Sequence, residues 1–270
     1  MRKTLSLLTL AIGLALGAQV QAHGINVNHM QCSIDTDYDV RVNAAGIEFT
    51  RDNGKPAEVF MHDGHLRVDH RDVDVSAADA TRLRTYEGTV RDLLPEIAGI
   101  AREGLDIGFS AMTTVAATFA EDSHDRERLL AKLNRSHATA LQQIDSGLGS
   151  GVWKQHGMDN LMEGGLQDAV SELVGTVTAG AVKAALSGDH ARVAALEARA
   201  DSLDKTIDKQ VNARADKLEV RAQALCPKLV ELDRLQQQFQ FRLPDGSPLR
   251  LVEPQTDDAA ATARDKVATR

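Results

Sequence analysis

Aromatic side chains are scarce in this chain: one Trp, two Tyr and six Phe among 270 residues. With so few rings and so many Ala, Leu and Val residues, thin helical packing is a better expectation than a broad sheet core. Cysteine is scarcer still. Cys32 and Cys226 are the only two, and neither has a CxxC partner, which argues against a zinc site. Positive charge is in deficit, with 31 Lys and Arg against 39 Asp and Glu and a net charge of −8. That balance opposes binding to nucleic acid and to anionic lipid surfaces. Catalytic signatures are missing as well. There is no HExxH, and Gly147-Leu148-Gly149-Ser150-Gly151 fits neither a GxSxG elbow nor a GxGxxG fingerprint, so it reads as a flexible loop. His124, His137, His156 and His190 fall on separate helical segments and read as surface or boundary residues. No enzyme class and no cofactor is implied.

Long apolar runs are confined to the N-terminus. Met1 to Ala22 has Arg2 and Lys3, an apolar stretch from Leu5 to Leu16, and the small-residue site Val20-Gln21-Ala22. This is the form of a secretory signal cleaved after Ala22. The run is too short to span a bilayer, and no other run reads as long enough. The expected mature chain starts at His23, is soluble, has no transmembrane segment, and carries a net charge of about −10 once Arg2 and Lys3 are removed. One Cys pair in an exported chain reads as a disulfide, Cys32 to Cys226, tying the N-terminal segment to the helices. Two free thiols are the rival reading.

What the chain has in abundance is helical periodicity. Val193, Leu196, Ala200, Leu203, Ile207, Val211, Ala215, Leu218, Ala222, Leu225, Leu229 and Leu232 follow one another at three- and four-residue steps, one face of a helix and close to a heptad seam. The spacing predicts a long helix over about 189–240, with a stutter at Ile207–Val211–Ala215 and a bend or interruption at Pro227. A seam of that length needs another helix along it, from the same chain or from a second copy.

Upstream, Tyr38, Val40 and Val42, then Ile47 and Phe49, Val59 and Met61, and Leu66 and Val68 alternate with polar residues. Asp52-Asn53-Gly54 and Asp63-Gly64 punctuate them, which predicts an antiparallel meander within 23–75. Ser76 with Asp79 opens a helix that runs past a kinking Pro95 and the weakening Gly99, Gly104 and Gly108. Uncharged residues 107–120 read as a buried helix, and Asp125 onward as another. From about Asp159 to Leu186, Gly164, Gly165, Gly175, Ala179, Gly180 and Ala184 predict close helix approach. Residues 241–270 read as a turn and a disordered tail.

The best metal candidate is His62-Asp63-Gly64-His65. A two-residue hairpin sets His62 and His65 across from each other, with His70 or Asp72 nearby as a third ligand. Asp35, Asp37 and Asp39 begin like an EF-hand, but Val40 stands where Gly is required.

The order of features is similar to that of a known family. His29-Met30-Gln31-Cys32-Ser33 leads into short strands, Leu66-Arg67-Val68-Asp69, a helix from Ser76-Ala77-Ala78-Asp79 to Leu93-Leu94-Pro95, Gly165-Leu166-Gln167-Asp168-Ala169-Val170, and Leu225-Cys226. This resembles the YggN-like family of uncharacterised exported proteins, across roughly 31–235. The resemblance implies a periplasmic location and no reaction. The expected architecture is mainly α: an elongated antiparallel helical bundle or coiled coil with a small N-terminal β-meander. The expected role is a non-enzymatic envelope interaction, scaffold or chaperone-like module whose partner is another envelope protein or itself. A small-ligand or divalent-metal binder is the alternative, and an unrecognised enzyme the third.

Overall fold

In the computed structural model, residues 34–120, 122–155, 157, 166–188 and 190–254 are described. The alternating segments pair as read. Strands β2 (Asp39–Asn43), β3 (Gly46–Thr50), β4 (Glu58–His62), β5 (His65–Val68) and β6 (Arg71–Val73) form a continuous antiparallel meander. Register puts Val40 opposite Phe49, Ile47 opposite Met61, and Val59 opposite Val68. Because side chains alternate between faces, Val40, Ile47, Phe49, Val59, Met61, Leu66 and Val68 are buried together. On the other face Arg67 lies over the Phe60 ring and 3.6 Å from Glu58.

Two further strand pairings, one on this sheet and one forming a separate two-stranded sheet, were not legible in sequence. The Gly147–Gly151 stretch is a packed return, not a flexible joint. After a short 3-10 turn at Leu148–Ser150, strand β7 (Val152–Trp153) joins the β2 edge, with Trp153 opposite Val40. Gly151 has φ +86°, accepts from Val42 N at 2.7 Å, and leaves no room for a Cβ, which would lie 2.5 Å from Val42 O. Glycine is the residue that meets both demands. Strand β8 (Glu253–Pro254) pairs with β1 (Ile34–Asp35).

The helices are α1 (Ala77–Phe119), α2 (Ser123–Ser146), α3 (Leu166–Leu186), α4 (His190–Ile207), α5 (Ala213–Gln223) and α6 (Cys226–Gln237), with a π-helical turn at Asp208–Asn212 between α4 and α5. The chain is mainly helical, and four of these helices run for eighteen residues or more. The element on which the others pack is α1. It spans 43 residues, roughly 64 Å at 1.5 Å per residue, and touches β4, β5 and every later helix. Its cap is as expected: Ser76 accepts from Asp79 N at 3.1 Å. It continues through Pro95 and its glycines because both halves are held by tertiary packing, which outweighs local propensity.

The predicted single helix over 189–240 is corrected to three helical pieces. The π turn, which inserts one residue into the helical repeat, falls on the Ile207–Val211–Ala215 step where the seam stutters. A break at Ala224–Leu225 precedes Pro227, which sits in the first turn of α6 where its missing N–H costs nothing. Along the seam, burial deepens toward the C-terminus. Leu218, Ala222, Leu225 and Leu232 are buried, whereas α4 buries no residue fully. Residues 107–119 are the last turns of α1 and Ala120 its cap; most are half-buried, with Ile107, Phe109, Ala116 and Ala120 buried.

Two cores result. The larger lies under the sheet and combines its inner face with Leu83, Tyr86, Val90, Leu93 and Leu94 of α1, Leu232 and Leu235 of α6, and Phe239, Phe241, Leu243, Leu249, Leu251 and Val252. Five of the nine aromatics run through it as one series of ring contacts, Tyr38–Phe49–Tyr86–Phe239–Phe241, with centroids 5.0–6.3 Å apart. The segment 241–252, read as a turn before a tail that starts at Glu253, does turn at 244–246, but it is also core: Phe241, Leu243, Leu249, Leu251 and Val252 are buried. It is tied down at Asp79, which is 1% exposed, takes Arg82 Nη1 at 2.8 Å, and accepts from Gln240 N at 3.2 Å. The smaller core joins Phe109 and Ala116 of α1, Leu129, Leu133 and Ala140 of α2, and Ala169 and Leu173 of α3.

Candidate interaction surface

Helix α3 is covered on one side only. Ala169 and Leu173 are buried against α1 and α2, and Ala184 is buried as well. Lys132 Nζ on α2 reaches Glu172 Oε2 at 2.7 Å and Asp168 O at 3.4 Å, and Arg128 stands 3.7 Å from Glu172. The Lys132 ammonium holds the Glu172 carboxyl below the usual carboxylate range. Just beneath, His137 Nε2 lies 2.7 Å from Asp106 Oδ1 and its ring 4.8 Å from that of Phe109, joining α1 to α2. These contacts fix the inner side of α3 and leave the outer side bare.

The outer side is apolar. Val170 is 38% exposed, Val174 57%, Val182 50% and Leu186 83%. These are four of the six large apolar residues exposed among the described residues, the others being Val220 and Val230. Burying such a residue gains roughly 1.5–3 kcal/mol, so four on one helix mark a surface that gains by being covered. The small residues expected to bring helices together act in two ways. Ala169 and Ala184 pack inward, but Gly175 and Gly180 have nothing within 4 Å of where a Cβ would stand. Gly164 and Gly165 lie outside the described residues. The reading that no run beyond the leader reaches spanning length is corrected too. Gln167–Leu186 is long and apolar enough to cross a membrane by length and composition, and only 17% of it is buried. Asp168, Glu172 and Lys183 are interspersed along it.

The histidine hairpin is well formed but already occupied. Asp63 and Gly64 have φ of 45° and 81°, the conformation of a type I′ turn, and His62 faces His65 across it. Glu87 of α1, 7% exposed, receives the turn: its carboxylate accepts from Asp63 N at 2.9 Å, lies 3.3 Å from His62 Nδ1, and takes Arg91 at 2.6 Å. Burial alone would raise the Glu87 pKa, but Arg91, the Asp63 amide and His62 together lower it. Asp63 is held by Arg84 at 2.8 Å. His70 lies at the other end of β5, about 13 Å away along four residues, where it faces Glu58 at 3.2 Å in the next turn. Asp72 pairs across strands with Arg67. The structure thus brings His62 and His65 together and separates them from His70 and Asp72. Among the described residues no group of three or more His, Cys, Asp or Glu is placed to hold a metal. Cys226 opens α6 and is not free. Cys32, the signal segment and its cleavage site after Ala22 lie outside the described residues.

Two open clefts flank α1. One is lined by Ala117, Thr118, Ala120, Arg126, Arg192, Ala195 and Arg199, and its arginines are engaged, Arg126 donating to Ala120 O at 3.3 Å. The other is lined by Pro95, Glu96, Gly99, Ile100, Arg221, Ala224 and Leu225. Neither brings together a nucleophile and a base.

A family model described as a protein of unknown function, DUF2884, matches residues 32–252. The chain belongs to the DUF2884 family. The matched region takes in both cysteines, the whole meander and the six helices α1 to α6 given for the described residues, and it ends at Val252, the last buried residue of the larger core. The DUF2884 unit is thus the sheet, the helices and the C-terminal core segment together, with α3 inside it. No curated protein and no solved structure matches the chain.

Proposed function

We propose that this DUF2884 protein is an exported, periplasmic, non-enzymatic interaction or scaffold module that works through the bare outer side of α3. The observation that carries the reading is an apolar helix that buries only Ala169, Leu173 and Ala184 and exposes Val170, Val174, Val182 and Leu186, fixed from behind by ion pairs and presented outward. On this reading the helices form an elongated antiparallel bundle whose last layer is completed by a partner, another envelope protein or a second copy. Gln167–Leu186 is on this reading covered by that partner and does not cross a membrane. Covering part of an apolar helix face with a partner helix is a common recognition mode.

The test is a photocrosslinking amino acid placed at Val174 or Val182 in cells, with exposed Glu219 on α5 as the control site. Discrete adducts at the α3 sites and none at the control are expected. Equal labelling at all three would overturn the proposal. The same face separates binding from folding. Val182→Asp is expected to leave the melting temperature within about 2 °C, because an exposed charge costs little. Leu173→Asp, on the opposite, buried side of the helix, lowers it by ~10 °C or more by burying an unpaired charge.

The Cys32–Cys226 bridge belongs to this reading. It links the segment preceding β1 to the start of α6, and it is consistent with export to an oxidising compartment. Thiol titration of the denatured, unreduced protein is expected to find none, and two per chain would refute the bridge.

A further inference from the structure

We infer that the occupant of the α3 face is α3 of a second copy of the chain, packed antiparallel about a two-fold axis. The inference rests on the proposed role of this face and names its partner. Three observations carry it. Ser171, Gly175, Thr178, Val182 and Ala185 succeed one another at four- and three-residue steps on the outer side. That is the spacing of a two-helix seam. The seam residues are small, with open space over Gly175, so a second backbone can approach closely while Val174 and Leu186 interdigitate at its edges.

The third observation selects the partner. The first turn of α3 carries Asp168 and its last turn Lys183. Fifteen residues apart, they are separated by about 60° around the helix, so they share one flank of the seam. An antiparallel second copy places Asp168 of each chain against Lys183 of the other, twice by symmetry. A parallel copy would set Asp168 against Asp168. A two-fold, self-complementary contact of this kind is the commonest form of assembly. A bilayer offers no such pairing, and the net charge of −8 opposes an anionic one. One helix about 31 Å long covers less than the ~800 Å² per partner of a standard interface, so the dimer is expected to dissociate at micromolar concentration.

The experiment is sedimentation velocity on the mature chain from ~1 to ~100 µM, a range that brackets that dissociation. Circular dichroism and melting curves confirm that each variant folds. A monomer–dimer equilibrium is expected. Asp168→Lys and Lys183→Asp each raise the dissociation constant tenfold or more. The double swap returns it to within threefold, because both cross-pairs are restored with reversed sign. Val182→Asp abolishes the dimer. A monomer at every concentration overturns the inference, as does a dimer indifferent to the swaps or Val182-dependent flotation of a monomer with vesicles. The two readings fail separately. Photocrosslinks from Val182 to a different protein, with a monomer in sedimentation, sink the self-pairing and leave the interaction surface standing. No adduct and no dimer sink both.

Discussion

A chain stopped after Gln238 is expected to lose cooperative unfolding altogether, whereas one stopped after Pro254 melts within about 2 °C of the full chain. The segment between those stops contributes Phe239, Phe241, Leu243, Leu249, Leu251 and Val252, none more than 8% exposed. At roughly 1.5–3 kcal/mol per buried side chain, its removal costs on the order of 10 kcal/mol. That is comparable to the whole stability of an ordinary domain. The loss is not confined to the segment. Without Phe239 the aromatic series ends at Tyr86, whose ring lies 6.2 Å from Phe239, and the inner face of the sheet is opened to water. The chain stopped after Pro254 keeps every residue of this core and the β1–β8 pair. Melting curves of the two truncations decide the matter, and similar cooperative transitions would show that the segment is dispensable.

Gln236→Leu is expected to destabilise the protein by about 3–6 kcal/mol, a large effect for a change that keeps side-chain volume. Gln236 is 2% exposed and acts as a piece of extra backbone for residues 251–252. Its Oε1 accepts from Leu251 N at 2.8 Å and Val252 N at 3.2 Å, and its Nε2 donates to Val252 O at 2.5 Å. Leucine leaves three buried main-chain groups without partners, each costing roughly 1–3 kcal/mol. Gln237→Leu, the same change one position along on an exposed site, is expected to stay within about 0.5 kcal/mol. Urea midpoints at constant slope measure both. Equal midpoints for the two variants would mean that the amide is not what holds this strand.

The local features were legible because they are written in short-range patterns. Alternating Val40 and Val42, Ile47 and Phe49, Val59 and Met61, and the Asp63-Gly64 turn name the meander and its register. Ser76 and Asp79 name the start of α1, and the double four-residue step at Ile207–Val211–Ala215 marks the π turn. Pro227 marks the break between α5 and α6. The misreadings share one cause. Whether 189–240 is one helix, whether Gly147–Gly151 is loose, and whether the turn segment 241–252 is surface or core depend on what is packed against them. Those neighbours are far away in sequence: α1 meets residues 225–240, Gly151 meets Val42, and Val252 meets Gln236.

The candidate site divides in the same way. From sequence alone come the apolar, small-residue character of Gln167–Leu186, the acid at its start and base at its end, and the pairing of His62 with His65. Only the tertiary structure decided that Glu87 takes up His62, that His70 stands at the far end of its strand, and that Val174 and Val182 face water. Periodicity tells which residues share a face of a helix, because that follows from backbone geometry. It does not tell which face finds a partner, because that depends on where every other helix lies.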